Sequence, residues 1–226
     1  MDGITFNNPF LLAAVGLLPG FIWLFFFLRE DRHPEPKKIL LLVFAAGALS
    51  TLPTLLGQFF IQRLFFFLPA GSLLLFFILA AVEEVFKFSA AYAVLKNNPA
   101  FDEPIDAMIY LVAAAMGFAT VENILIASSS FGLTETTSII AMRFVGATLL
   151  HALSAGLLGY YWAKGLLLSR IKKYLMIGFL FAAFTHAAFN TLIIRFQENY
   201  LVYASIFLLI ATFFVLNDFE KLKKKN

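Results

Sequence analysis

Seven stretches of this chain each run for about twenty residues with few polar side chains, the length a helix needs to cross the hydrocarbon core of a bilayer. They are approximately Pro9 to Leu28, Ile39 to Ile61, Gly71 to Leu95, Ala107 to Ala127, Ile139 to Ala163, Tyr174 to Ile194 and Tyr200 to Leu216. Only 14% of the residues are charged and 61% are hydrophobic, whereas a soluble domain carries roughly 25% charged residues. A chain of this kind lacks the polar groups to cover a water-facing surface and requires lipid as solvent. The expected fold is therefore all-α, a polytopic transmembrane helical bundle of about seven spans forming a single membrane-embedded domain over residues 1–226. The first apolar stretch has no basic residue before it and no clear small-residue cleavage site, so it reads as a retained helix rather than a signal peptide. There are no cysteines, which excludes disulfides, thiol catalysis and Cys-ligated metals.

Orientation follows from lysine and arginine in the short connections. Thirteen of the seventeen fall on one side of a seven-span arrangement. These are Arg29, Arg32, Lys37 and Lys38 after the first span, Lys96 after the third, Lys164, Arg170, Lys172 and Lys173 after the fifth, and Lys221, Lys223, Lys224 and Lys225 in the tail. Arg63 and Arg195 fall on the other side. The expectation is an external N-terminus and a cytoplasmic C-terminus, with the basic tail serving as a topology signal and anionic-lipid contact.

The other two basic residues, Lys87 and Arg143, lie inside spans, together with Glu83, Glu84, Glu122, Asn123, His151, His186 and Asn190. A charged side chain at the bilayer centre costs roughly 2.5–3.5 kcal/mol on insertion scales. Groups of this kind on four spans are expected to converge in the bundle interior or around a wet cavity. With a rise of about 1.5 Å per residue, they share one slab from the midplane into the outer half. Glu83 and Lys87 are four apart, as are His186 and Asn190, so each pair shares a helix face. Small residues on the same spans, Ala113 to Ala115, Gly117, Ala147, Gly156 and Gly159, permit close helix approach.

These residue types supply the roles needed to hydrolyse a peptide bond. A carboxylate takes a proton from water, and Asn and His donors stabilise the oxyanion that forms. Glu122, His151 and His186 would alternatively suit zinc, although no His-Glu-x-x-His helix is present. Proton-coupled transport uses the same residue types and is the main rival from another class, with Pro53 in the second span as the single kink candidate. Blander readings stand beside these. Glu84 and Lys87 would make an ion pair that only fixes helix packing, Asn123 and Asn190 would be interhelical hydrogen bonders, and Arg143 would neutralise a carboxylate or reach outward. His33, in a polar loop, reads as solvated, and the runs Phe25 to Phe27 and Phe65 to Phe67 read as lipid-facing or interfacial.

The run Glu83-Glu-Val-Phe-Lys87 resembles the Glu-Glu-x-x-Lys motif of the PrsW family of intramembrane proteases. Phe101-Asp-Glu-Pro-Ile-Asp-Ala-Met-Ile-Tyr110 is similar to that family's lead-in to its next helix, and Gly117-Phe-Ala-Thr-Val-Glu-Asn-Ile124 to its Gly-Phe-Ala-x-x-Glu-Asn signature. His151-Ala and His186-Ala-Ala-Phe-Asn190 match its two histidine motifs. The resemblance covers nearly the whole chain in order and spacing. The related CAAX-processing and bacteriocin-processing proteases carry Glu-Glu-x-x-x-Arg, Phe-x-x-x-His and His-x-x-x-Asn. Here Lys87 replaces the Arg one residue earlier, Phe118-x-x-x-Glu122 replaces Phe-x-x-x-His, and His186-x-x-x-Asn190 is kept.

The resemblance implies an intramembrane endopeptidase in a bacterial inner membrane that cuts single-span, anti-sigma-factor-like proteins near the extracytoplasmic face. Glu83 would be the general base supported by Glu84, with His186 and Asn190 on the oxyanion and Glu122 and His151 positioning water or the scissile amide. Lys87, Asn123 and Arg143 would support them. No cofactor and no resident metal are expected, with zinc dependence left open. The expected partners are a single-pass membrane substrate and the bilayer, not nucleic acid. A non-catalytic member that binds membrane helices remains a further alternative.

Overall fold

The computed structural model describes residues 9–129, 133–196 and 200–224, and among these it is helical with no strand. The helices are α1 (Pro9–Leu28), α2 (Lys37–Leu64), α3 (Leu73–Leu95), α4 (Asp106–Ser128), α5 (Leu133–Arg143), α6 (Leu149–Leu167), α7 (Ile171–Arg195) and α8 (Tyr200–Lys223). A π-helical turn, Phe144–Thr148, joins α5 to α6 without a break. Each of the seven apolar stretches thus falls in one rod. Five rods are long and apolar enough to cross a membrane: α2, α4, the joined α5–α6, α7 and α8. In α1, Leu12–Leu28 is a shorter apolar helix. The 23 residues of α3 are long enough, but Glu83, Glu84 and Lys87 interrupt their hydrophobicity.

Local chemistry sets the helix ends. Pro34 and Pro36 prevent α1 from running on into α2, because proline has no N–H to continue the ladder. Ser72 caps α3, its hydroxyl accepting from the Leu75 N–H at 3.3 Å. The Asp106 carboxylate reaches back to accept the N–H groups of Asp102 and Glu103 at 2.9 and 2.7 Å, which closes the turn entering α4.

Helix α4 is the axis of the bundle. Residues from Ala107 to Ala119 are at most 1% exposed where they are hydrophobic, and α1, α2, α3 and α6 pack around them. Helix α7 lies against α3 and α6, and α8 covers α6 and α7 from outside. Burial on all sides requires small residues at the crossings. A Cβ on Gly117 would sit 1.9 Å from the Phe44 carbonyl oxygen, and one on Gly47 would sit 2.0 Å from that of Ala114. Helices α2 and α4 therefore touch backbone to backbone, the contact that small residues allow in lipid. Gly159 brings α6 onto α4 at Met108 in the same way. The outward faces are apolar, with Leu49, Leu56 and Phe60 on α2 and Leu209 and Phe213 on α8 all more than half exposed.

Several expectations change. Two helices contain an internal proline, Pro19 in α1 and Pro53 in α2, and both are continuous through it. The polar connection expected over residues 128–138 is helical again from Leu133, while residues 130–132 lie outside the described set. Helix α8 runs seven residues beyond Leu216, because Phe219 and Leu222 still face the core and Lys223 pairs with Glu30 at 2.7 Å. Phe27 is not lipid-facing, being 1% exposed and stacked on Phe219, while Phe25, Phe66 and Phe67 do face outward. The exposed His33 ring bonds Glu103 at 2.7 Å rather than standing in water alone.

Candidate active site

The helical spacing of α3 places Glu83, Glu84 and Lys87 on the side that meets α4, α6 and α7, and all three are buried. Lys87 Nζ donates to Glu84 Oε1 at 2.6 Å and to His151 Nδ1 on α6 at 3.2 Å. Glu84 Oε1 also accepts from Ser154 Oγ at 3.0 Å and from His186 Nδ1 on α7 at 3.3 Å. Glu84 is thus the hub of a network spanning three helices.

Glu122 on α4 closes the other side. His151 Nε2 donates to Glu122 Oε2 at 2.8 Å, and Arg143 Nη2 donates to the same oxygen at 3.0 Å. Arg143 Nε donates to Asn123 Oδ1 at 2.6 Å, and the Asn123 amide donates to Thr148 Oγ1 at 3.2 Å. The π-helical turn lies between Arg143 and Thr148, and its Phe144 carbonyl accepts from Trp23 Nε1 at 2.7 Å. Phe118 packs beside the His151 ring at 5.5 Å and under the Lys87 ammonium at 5.2 Å.

Glu83 is held differently. Its Oε1 accepts from Gln58 Nε2 on α2 at 2.7 Å, while its Oε2 is buried without a hydrogen bond, 3.6 Å from His186 Nδ1. The two histidine rings meet edge to face with centroids 5.0 Å apart. Ligand atoms of Glu83, His151 and His186 lie within 4.8 Å of one another.

Eight of the nine singled-out residues therefore belong to one connected cluster, six of them buried and Glu122 and Arg143 half-buried. Asn190 is half-buried one turn beyond His186 and makes no hydrogen bond among the described residues. Arg143 takes the charge-neutralising place rather than reaching outward. Gln58, Ser154 and Thr148 join the cluster without having been singled out for it, and Phe118, noted with Glu122 in the motif, packs against it. Gln58 is one of several uncharged polar residues on α2, with Ser50, Thr51, Thr54 and Gln62, and no local pattern sets it apart.

The family model described as PrsW family intramembrane metalloprotease matches residues 35–216. The chain belongs to the PrsW family. Curated relatives agree with that assignment. Protease PrsW of Geobacillus kaustophilus is 29% identical over 203 residues, covering 88% of this chain and 87% of the relative. Protease PrsW of Oceanobacillus iheyensis is 28% identical over 196 residues, covering 84% and 86%, and that of Bacillus subtilis is 24% identical over 225 residues, covering 96% and 98%. No solved structure matches the chain. With its five long apolar helices, this PrsW member is a multi-pass integral membrane protein.

The family description raises the question of a metal, and the donors present fit one. Two histidines and a carboxylate are a catalytic zinc set. The Nδ1–H of His186 donates to Glu84 and the Nε2–H of His151 donates to Glu122. With its Nδ1–H on Glu84, His186 keeps Nε2 as a lone pair, the orientation a ligating histidine takes from a carboxylate behind it, whereas His151 Nδ1 already accepts from Lys87 and would have to release that bond to ligate. Glu83 Oε2 adds an unpartnered oxygen. This differs from the set expected from sequence, because Glu122 is occupied by Arg143 and His151 and its place is taken by Glu83.

Proposed function

We propose that this PrsW member is an intramembrane endopeptidase whose nucleophile is a water held between Glu83, His151 and His186. The carrying observation is the buried Glu83 oxygen with no hydrogen-bond partner beside two histidines. Every other carboxylate of the cluster is neutralised within it: Glu84 by Lys87, and Glu122 by Arg143. Glu84 Oε2 is also without a hydrogen bond, but its carboxylate is already paired with Lys87, which leaves Glu83 Oε2 as the acceptor for a proton from water. The resulting hydroxide, formed beside the free Nε2 of His186, attacks the scissile carbonyl, Asn190 donates to the developing oxyanion, and the proton taken by Glu83 passes to the amide nitrogen as the C–N bond breaks. His151, oriented by Glu122, and Lys87, oriented by Glu84, keep the pocket rigid and polarised. A divalent cation, if held by Glu83, His151 and His186, would supply Lewis-acid polarisation of the water.

The substrate is a single-span membrane protein of the anti-sigma-factor type, cut near the external face. The anti-sigma-factor type is what the family resemblance implies, and the cut near the external face follows if the basic connections and the C-terminus face the cytoplasm of a bacterial inner-membrane protein of seven spans, which puts the polar side chains in the outer half.

The test is cleavage of a purified single-span anti-sigma factor by the detergent-solubilised protein. Glu83→Ala and His186→Ala are expected to lower the rate by about 10²-fold or more. Full activity in either variant refutes the assigned site. Loss of activity with a chelator and its return with zinc assign the water to the metal, whereas activity that survives chelation leaves Glu83 as the sole activator. Vesicles that take up protons with a solute but cleave nothing would identify a carrier instead.

A further inference from the structure

We infer that the groove between the α5–π–α6 rod and helices α7 and α8 is the seat of the substrate's membrane segment, bound in an unwound stretch. This rests on the hydrolase reading and specifies how a polypeptide reaches its site. The groove encloses about 730 Å³ and is lined mainly by apolar and small side chains. Phe189, Ala204 and Leu208 form its buried floor, and Met142 and Val145 stand at its exposed mouth. Its one charged lining residue is Arg143, whose guanidinium bonds Glu122 and Asn123 and so borders both the groove and the catalytic cluster. The wall between the two is the π-helical turn, a local widening that recurs at functional sites. Phe189 in the floor is three residues from His186 and one from Asn190, so the groove follows α7 past the catalytic histidine.

The choice of occupant turns on hydrogen bonding. A guanidinium carries five N–H donors, and the Arg143 bonds to Glu122 and Asn123 leave Nη1 without an acceptor among the described residues. At membrane depth an unwound backbone must find donors for its carbonyl groups. Arg143 offers them, with the hydroxyls of Ser138 and Ser205, in a groove whose other lining residues are apolar or small. A lipid tail has no acceptor to offer in return, and an intact helix has already satisfied its carbonyls. A peptide segment loosened for hydrolysis satisfies both the apolar walls and the donors set among them.

The test uses the non-cleaving Glu83→Gln protein in lipid nanodiscs, with a photo-crosslinking amino acid at Val145 and, as the comparison, at Phe213 on the lipid-facing side of α8. The probe is the single-span anti-sigma factor. Capture at Val145 and not at Phe213 is expected. A wild-type background with Ala204→Trp, which fills the floor, is expected to raise KM for that probe about tenfold or more with less change in kcat. Equal capture at both positions, or lipid-only adducts at Val145 while the wild type cleaves normally, overturns the groove and leaves the hydrolase reading standing. Capture at Val145 with no cleavage by the wild type supports the groove and overturns the hydrolase.

Discussion

Glu84 and Lys87 are each at most 1% exposed and 2.6 Å apart, so neither keeps its water when its partner is lost. Replacing one by a neutral residue strands the other charge, a loss of about 3–5 kcal/mol. Glu84→Gln and Lys87→Met are each expected to lower stability on that scale, and the double variant to lose much less than the sum. Unfolding in mixed micelles measures it, and strictly additive losses would show that the pair does not interact. This pair was readable from three-residue helical spacing alone. The bond from Gln58 to Glu83 was not, because the register of α2 against α3 is set by packing around Gly57 and Val82 that no local pattern reveals. A second residue-scale effect lies outside the spans. Glu35, in the loop before α2, accepts from the Tyr110 hydroxyl. Burial pushes its carboxyl up to about 8, and the carboxyls of Asp106 and Asp31 push the same way. Because that lies above the ordinary 4.5, the protonated form is the one the fold prefers. Its contribution is complete below about pH 4.5 and is lost as the pH rises through about 8. Glu35→Gln is expected to flatten the pH dependence of the unfolding temperature over that interval, and an unchanged slope would refute the assignment.

At the scale of elements, the joined α5–α6 rod carries the least expected feature. The sequence predicts one span over Ile139 to Ala163, and the rod is there, but nothing in its periodicity announces the extra residue at Phe144–Thr148. Thr148 bonds to Asn123, and the Trp23 indole holds the Phe144 carbonyl. Long-range partners therefore sustain the wide turn, and these lie beyond any local window. Its effect is angular. One residue turns an α-helix by about 100°, so the insertion sets Arg143 and His151 jointly onto Glu122. Deleting Val145 is expected to restore a continuous α-helix, swing Arg143 off Glu122 and lower cleavage to about a hundredth or less, the usual result of misplacing a site by an ångström. Arg143→Met is expected to reproduce much of that loss. A deletion variant with wild-type turnover would show that the turn has no bearing on the site. The small-residue crossings were more legible, since Gly117 and Gly159 stood out in sequence and both make backbone-close contacts.

For the whole molecule, the absence of cysteine makes the proposed orientation directly measurable. Asn97→Cys, between α3 and α4, is expected to be shielded from an impermeant maleimide in intact cells, and Ser129→Cys, after α4, to be labelled. The reverse pattern would invert the molecule and move the catalytic slab toward the cytoplasm. That the chain is a helical membrane bundle was legible in sequence, because hydrophobic length is a global quantity, whereas which rods neighbour one another is not. That neighbourhood has a consequence for biosynthesis. The charges of α3 find their partners on α6 and α7, so His151 and His186 must be synthesised after α3 has already left the ribosome. A nascent chain that ends at Ser129 would hold Glu83, Glu84 and Lys87 without either histidine, and α3 is expected to slip back out of the lipid and be degraded. Supplying residues 130–226 as a separate fragment should rescue it. Membrane insertion of this chain is then a retrospective event, decided for its third helix by parts of the polypeptide made long afterwards.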